Sequence, residues 1–164
     1  MKIVVNTAWM ALMVLFCAAV SARTLIYDPS ANPRHDLAQA VASAATDDKL
    51  VLVVFGADWC PDCRMLDHHM NREPLKAVIN DNFHVVKVDV GEKDKNLDFL
   101  ATFGNPIAGG IPAIAILDNQ STIHYVSDAG ELASAQSAKN EGLKQWFQSL
   151  LGTIDDSESG DLAR

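Results

Sequence analysis

The run Leu50-Val51-Leu52-Val53-Val54-Phe55 constrains this chain more than any other stretch. Its apolar residues show no polar alternation, so the strand they form has no face to turn to water. A strand buried on both faces sits in the middle of a sheet that helices cover, which makes the fold class α/β. Gly56-Ala57-Asp58 and Trp59-Cys60-Pro61-Asp62-Cys63 follow directly, and from there to Met70 the residues Cys63, Leu66 and Met70 share one helical face. The two cysteines therefore lie on a strand-to-helix junction.

The remaining pattern completes a layered domain. Arg23 to Asp28, with Leu25-Ile26-Tyr27, reads as a short edge strand, and His35 to Ala45 as a helix with Leu37, Ala40, Val41 and Ala44 on one side. Asn71 reads as the cap of a second helical piece that carries Pro74 in its first turn and Leu75, Val78 and Ile79 on its apolar side. Phe83 to Val90 reads as a strand and Asp94 to Phe103 as a helix ended by Gly104-Asn105-Pro106. Ala113 to Leu117 and Thr122 to Val126 form a hairpin, and a polar loop from Ser127 to Lys139 leads to a helix from Asn140 to Leu150 whose buried face is Leu143, Trp146, Phe147 and Leu150. The order β-α-β-α-β-α-β-β-α predicts a three-layer sandwich around a mixed sheet. Strands joined through helices are expected to be parallel and the last hairpin antiparallel. Residues 23–151 make up this domain, and an acidic tail, 152–164, is expected to be disordered.

The first 22 residues are expected to lie outside the fold. Lys2 gives a positive start, Ala8 to Val20 is almost wholly apolar, and Val20-Ser21-Ala22 offers small residues before Arg23. This is the pattern of a secretory signal cleaved after Ala22, with an apolar run too short for a membrane span. Cys17 within it is read as one more apolar residue, since Leu15 and Phe16 are too bulky for a lipid-attachment site. Removing 22 of 164 residues leaves 142, enough for one domain and too few for two. It also leaves 12 basic against 21 acidic residues, a net charge of −9, which disfavours phosphate backbones and makes nucleic acid an unsuitable partner.

Two of the three cysteines survive that cleavage. A structural bridge across two residues closes so small a loop that it stabilises by only about 2 kcal/mol, so the spacing favours chemistry over scaffolding. A thiol attacks as its thiolate, and a helix N-terminus favours that charge through its unpaired N–H groups and dipole. Cys60 falls there, with Pro61 suited to the first helical position, where its missing N–H costs nothing. Cys63, three residues on and about 300° around the helix, can resolve a mixed disulfide. A second signal is Gly109-Gly110-Ile111-Pro112 ahead of an apolar strand, a position where a cis proline can be held.

Together, Val51 to Cys63 and Gly110-Ile111-Pro112-Ala113 resemble the thioredoxin superfamily, and the resemblance extends over roughly Leu50 to Leu151. It implies Cys60 as the attacking cysteine, Cys63 as the resolving one, and Trp59 as the flanking aromatic. It also implies Ile111-Pro112 as a substrate-docking loop facing the cysteines, with Pro61 and Asp62 at the substrate rim. Three departures stand out. The dipeptide is Pro-Asp rather than Gly-Pro, and an acidic Asp62 should oppose thiolate formation and make the pair more reducing. Thioredoxins usually bury an aspartate six residues before the first cysteine; Val54 stands there, which leaves water or Asp58 for proton transfer. The stretches Gly91 to Gly109 and Ser127 to Lys139 resemble those of exported bacterial thioredoxin-like proteins.

His68 and His69 lie about 140° and 120° from Cys63 on opposite sides of the helix, so no metal site is expected. Lys87 and Asp89 read as a strand-end pair without a catalytic role. The expectation is a monomeric periplasmic or secreted thiol-disulfide oxidoreductase without cofactor, acting on protein or small-molecule disulfides and recharged by a membrane electron donor. The alternatives are a dithiol oxidase that donates its disulfide, and a thioredoxin-fold module that binds a protein or copper.

Overall fold

The apolar run forms β1, Leu50–Gly56, and from Val51 to Phe55 its residues are at most 1% exposed. A computed structural model describes residues 25–161 apart from residue 129, so the expected signal segment and the last three residues lie outside the described residues. Around β1 the chain runs through α1 (Pro33–Asp47), α2 (Pro61–Met70), α3 (Leu75–Asn82), β2 (Phe83–Asp89), α4 (Leu97–Ala101), β3 (Ala113–Leu117), β4 (Ile123–Val126) and α5 (Asn140–Asp161). The sheet order is β2-β1-β3-β4.

Side-chain parity assigns the helices to two faces. Phe83, level with Leu50, meets Phe147 of α5, and Lys87, on the same side of β2, reaches Asp67 of α2. On the opposite side Phe55 packs on Phe99 and Phe103 at the end of α4, and His84 bonds Asp47 of α1. This is the expected α/β sandwich with a mixed sheet.

Several elements differ from expectation. The described part of the first strand, Leu25 to Asp28, is irregular with a bend at Ile26 and Tyr27: the Ile26 N–H is taken by Asp58 Oδ1 at 3.0 Å rather than by a strand, and Tyr27 drops into the core. Asn71 ends α2 instead of starting α3, its backbone and side-chain N–H groups both bonding Asp67 O. The Leu75 N–H at the start of α3 is satisfied by Asn140 Oδ1, at 3.0 Å and 65 residues away. Lys87 and Asp89 do not pair with each other; Lys87 joins Asp67, and Asp89 joins Lys95 at 3.2 Å.

The strand directions are also corrected. β1 and β2 are parallel, but β3 runs antiparallel to β1 although α4 lies on the way to it. α4 is five residues, about 7.5 Å, against about 23 Å for a seven-residue strand, so it does not carry the chain back across the sheet. β3 therefore starts at the end where β1 finishes, Ala113 level with Phe55. Finally, α5 continues through residues expected to be a disordered tail. Ile154, seven residues beyond Phe147, prolongs the buried stripe and is 4% exposed.

Candidate active site

The end of β1 and the start of β3 meet at one edge of the sheet, and both cysteines lie there. Cys60 is the N-cap of α2, with extended backbone at φ −77° and ψ 119°, and its Sγ accepts the Cys63 N–H at 3.3 Å. The cap role usually filled by a serine or aspartate oxygen is thus taken by sulfur, which sits among the unpaired amides of the first turn. Pro61 occupies the next position, where no donor is lost. Both cysteines are free thiols, 4% and 0% exposed. Burial, and next the hydrogen bond with Cys60, push the Cys63 thiol far above its ordinary range.

The proline loop faces this pair. The Cys60 thiol donates to the Ile111 carbonyl at 3.5 Å, and the Ile111–Pro112 peptide bond is cis. Ile111 and Pro112 are buried, whereas Trp59 is 50% exposed, its indole N–H fixed to Gly91 O at 2.9 Å. Gly91 is held in turn, its N–H bonding Asp89 Oδ1 at 3.2 Å.

The two acidic residues of the motif are both engaged. Asp58 ties down Ile26 as described, and Asp62 Oδ1 accepts the Gln136 N–H at 2.8 Å. The loop bearing Gln136 also passes Gly109, whose carbonyl would lie 3.5 Å from a Cβ placed on Gly130. Trp59, Cys60, Asp62, Ile111 and Pro112 thus come together at one edge. His68 and His69 are engaged elsewhere: His68 Nε2 meets Arg72 at 3.1 Å, and His69 Nδ1 lies 3.4 Å from the Asn140 side-chain amide. Among the described residues no group of three or more His, Cys, Asp or Glu could hold a metal ion.

A thioredoxin-like family model matches residues 32–119, more than half the chain. This chain belongs to the thioredoxin-like family. The crystal structure of a disulphide isomerase from Xylella fastidiosa Temecula1 is 36% identical, with 79% of this chain and 99% of that one covered and a TM-score of 0.76. The oxidised C-terminal domain of DsbD from Neisseria meningitidis shares the fold at 17% identity and a TM-score of 0.54, over 73% of this chain and 96% of that one. The search of curated proteins finds no significant match. The thioredoxin-like chain is a thiol-disulfide oxidoreductase.

Against the thioredoxin pattern, three groups near Cys63, namely Asp67, Lys87 and Tyr27, take places that the sequence reading assigned differently or not at all. Val54, where an aspartate is usual, is buried and level with Lys87, whose ammonium is taken by Asp67 from α2. Tyr27 is 2% exposed; burial, then the charges of Cys63, Asp67, Cys60 and Asp58, raise its pKa well above the ordinary tyrosine value. One signal for Asp67 was available, its i,i+4 position below Cys63 on the same helix. Tyr27 and Lys87 carried no such signal, because their approach depends on how the segments fold together.

Proposed function

We propose that this oxidoreductase works outside the cytoplasm as a reductase or exchanger of protein and small-molecule disulfides, with Cys60 attacking and Cys63 resolving. The observation that carries the reading is the Cys60 sulfur at the mouth of α2, receiving the Cys63 N–H at 3.3 Å and facing the Ile111 carbonyl at 3.5 Å. A sulfur in that position faces the unpaired N–H groups and the positive end of the helix dipole, and its partner is a buried thiol.

The Cys60 thiolate attacks one sulfur of a substrate disulfide, forming a mixed disulfide and releasing the other sulfur as a thiolate that takes up a proton. Cys63 then loses its proton to water or to Asp58 and attacks Cys60. The second substrate thiol leaves and the protein holds a Cys60–Cys63 disulfide, two electrons having passed to the substrate. Trp59, Pro61 and Asp62 form the rim that receives substrate, and the Ile111-Pro112 backbone pairs with its chain. The charge of Asp62 beside Cys63 opposes ionisation and favours the reducing direction. The export pattern of the first 22 residues supports the location, where a membrane electron donor would restore the dithiol. No described helix is long and apolar enough to cross a membrane.

Insulin reduction by wild type and Cys60→Ser, paired with the equilibrium against glutathione, tests this. Turnover that disappears in the variant and a potential well below that of strong periplasmic oxidants are expected. Turnover independent of Cys60 would end the enzymatic assignment of that residue, and a high potential would reverse the direction to dithiol oxidase.

A further inference from the structure

An open groove of about 740 Å³ runs down the outer side of α2 from Pro61, the residue that follows Cys60, past Arg64 and Met65 to His68 and Arg72. That volume lies within the range of ligand-binding clefts, roughly 300–1,000 Å³. Its charge is opposite to that of the molecule, which carries a net −8. Arg64 and Arg72 have no carboxylate partner among the described residues. Arg72 spends one N–H on His68 Nε2 at 3.1 Å, a contact that adds no negative charge to the groove. The carboxylate lining the groove, Asp67, is compensated by Lys87 and bonded by the side-chain amide of Asn71 at 3.2 Å. Two cations thus face an open, partly apolar channel that begins at Pro61, the residue after the attacking cysteine, on a chain whose net charge otherwise repels anions.

We propose that this groove receives an acidic stretch of the partner polypeptide flanking its reactive cysteine; the proposal rests on Cys60 being the attacking residue. The ten residues of α2 span about 15 Å, which an extended chain covers in four or five residues. The acidic side chains therefore lie within about five positions of the partner's cysteine. Charges at such a rim act mainly on encounter and orientation and are screened by salt.

Three synthetic peptides test it, Glu-Ala-Glu-Cys-Glu-Ala-Glu and its Gln and Lys counterparts, each carrying a 2-thiopyridyl disulfide. Reduced full-length protein attacks the peptide sulfur, releases pyridine-2-thione, and then closes its own disulfide with release of the peptide thiol. At low salt the Glu peptide should react about fivefold faster than the Gln peptide and the Lys peptide slower than both. The Glu-to-Gln ratio should fall to about one in Arg64→Gln/Arg72→Gln and also in wild type at high salt. Because the readout is a ratio within one protein, a change in the intrinsic reactivity of Cys60 cancels. A wild-type ratio at or below one, or a ratio that survives the double substitution, overturns the proposal. If wild type reacts with none of the three, the reductase reading falls instead, and the groove is judged by whether a serine-for-cysteine Glu peptide shifts the α2 amides in wild type and not in the double variant.

Discussion

Asp62, between the two cysteines, accepts a hydrogen bond from the backbone of Gln136, 74 residues further along, at 2.8 Å. The dipeptide between the cysteines is thereby tied to the loop before α5. That loop is anchored at its other end by Glu131, which accepts from Tyr125 and, at 3.2 Å, from Trp146. Asp62→Asn removes the charge and keeps an acceptor oxygen for Gln136. Its reduction potential should rise by about 10–20 mV, since about 30 mV corresponds to one tenfold step in a thiol equilibrium. Glutathione titration checks this, and an unchanged or lower potential would contradict the electrostatic role of Asp62.

Cys63 is fully buried, and its thiol is pushed far up by burial and by its hydrogen bond with Cys60. In the reduced protein iodoacetamide at pH 8 should therefore modify Cys60 and leave Cys63 free. In Cys60→Ser the labelling of Cys63 should be slower than that of an unstructured cysteine by about a hundredfold. Mass spectrometry of the alkylated peptides is the measurement.

Gly56 closes β1 against the Tyr27 ring: a Cβ there would lie 2.5 Å from the phenol oxygen and from the ring carbon bearing it. Gly56→Ala should destabilise by about 1–3 kcal/mol through overpacking. The penalty should shrink in a Tyr27→Leu background, because the smaller side chain vacates that space. Urea unfolding of the four proteins of this cycle gives the coupling.

Asp118 organises the hairpin. Its Oδ1 accepts the N–H groups of Gln120 and Thr122, each at 2.8 Å, and its Oδ2 meets the His124 ring at 3.1 Å. Burial works against its charge, but these bonds outweigh it and hold its pKa below the ordinary carboxylate value. A depressed folded pKa contributes stability that is fully present above the unfolded value of about 3.9 and is lost as pH falls through the folded one. Asp118→Asn should be less stable at pH 7 by about 1 kcal/mol, with the deficit shrinking as pH falls through the depressed folded pKa. Thermal unfolding across that range tests the sign.

Much of this protein was legible in the residues themselves. The unbroken apolar run from Leu50 to Phe55 required a central strand, and Pro61 after Cys60 required a helix to begin there, because burial on both faces and a missing N–H are local facts. The hairpin from Ala113 to Val126 was equally local. Leu25-Ile26-Tyr27 misled for the same reason: an apolar triplet does not reveal whether its amides will meet a strand or, as here, the side chain of Asp58.

What the tertiary structure decided were contacts between distant segments. The reversal of β3, which brings Ile111 to Cys60, follows from α4 being too short to recross the sheet. Asn140 capping α3 and Lys87 choosing Asp67 over Asp89 depend on the packing of α2, α3 and α5 beside β2. Local propensity determines an element from its own few residues, whereas a charge or a cap finds its partner only once the helices have docked.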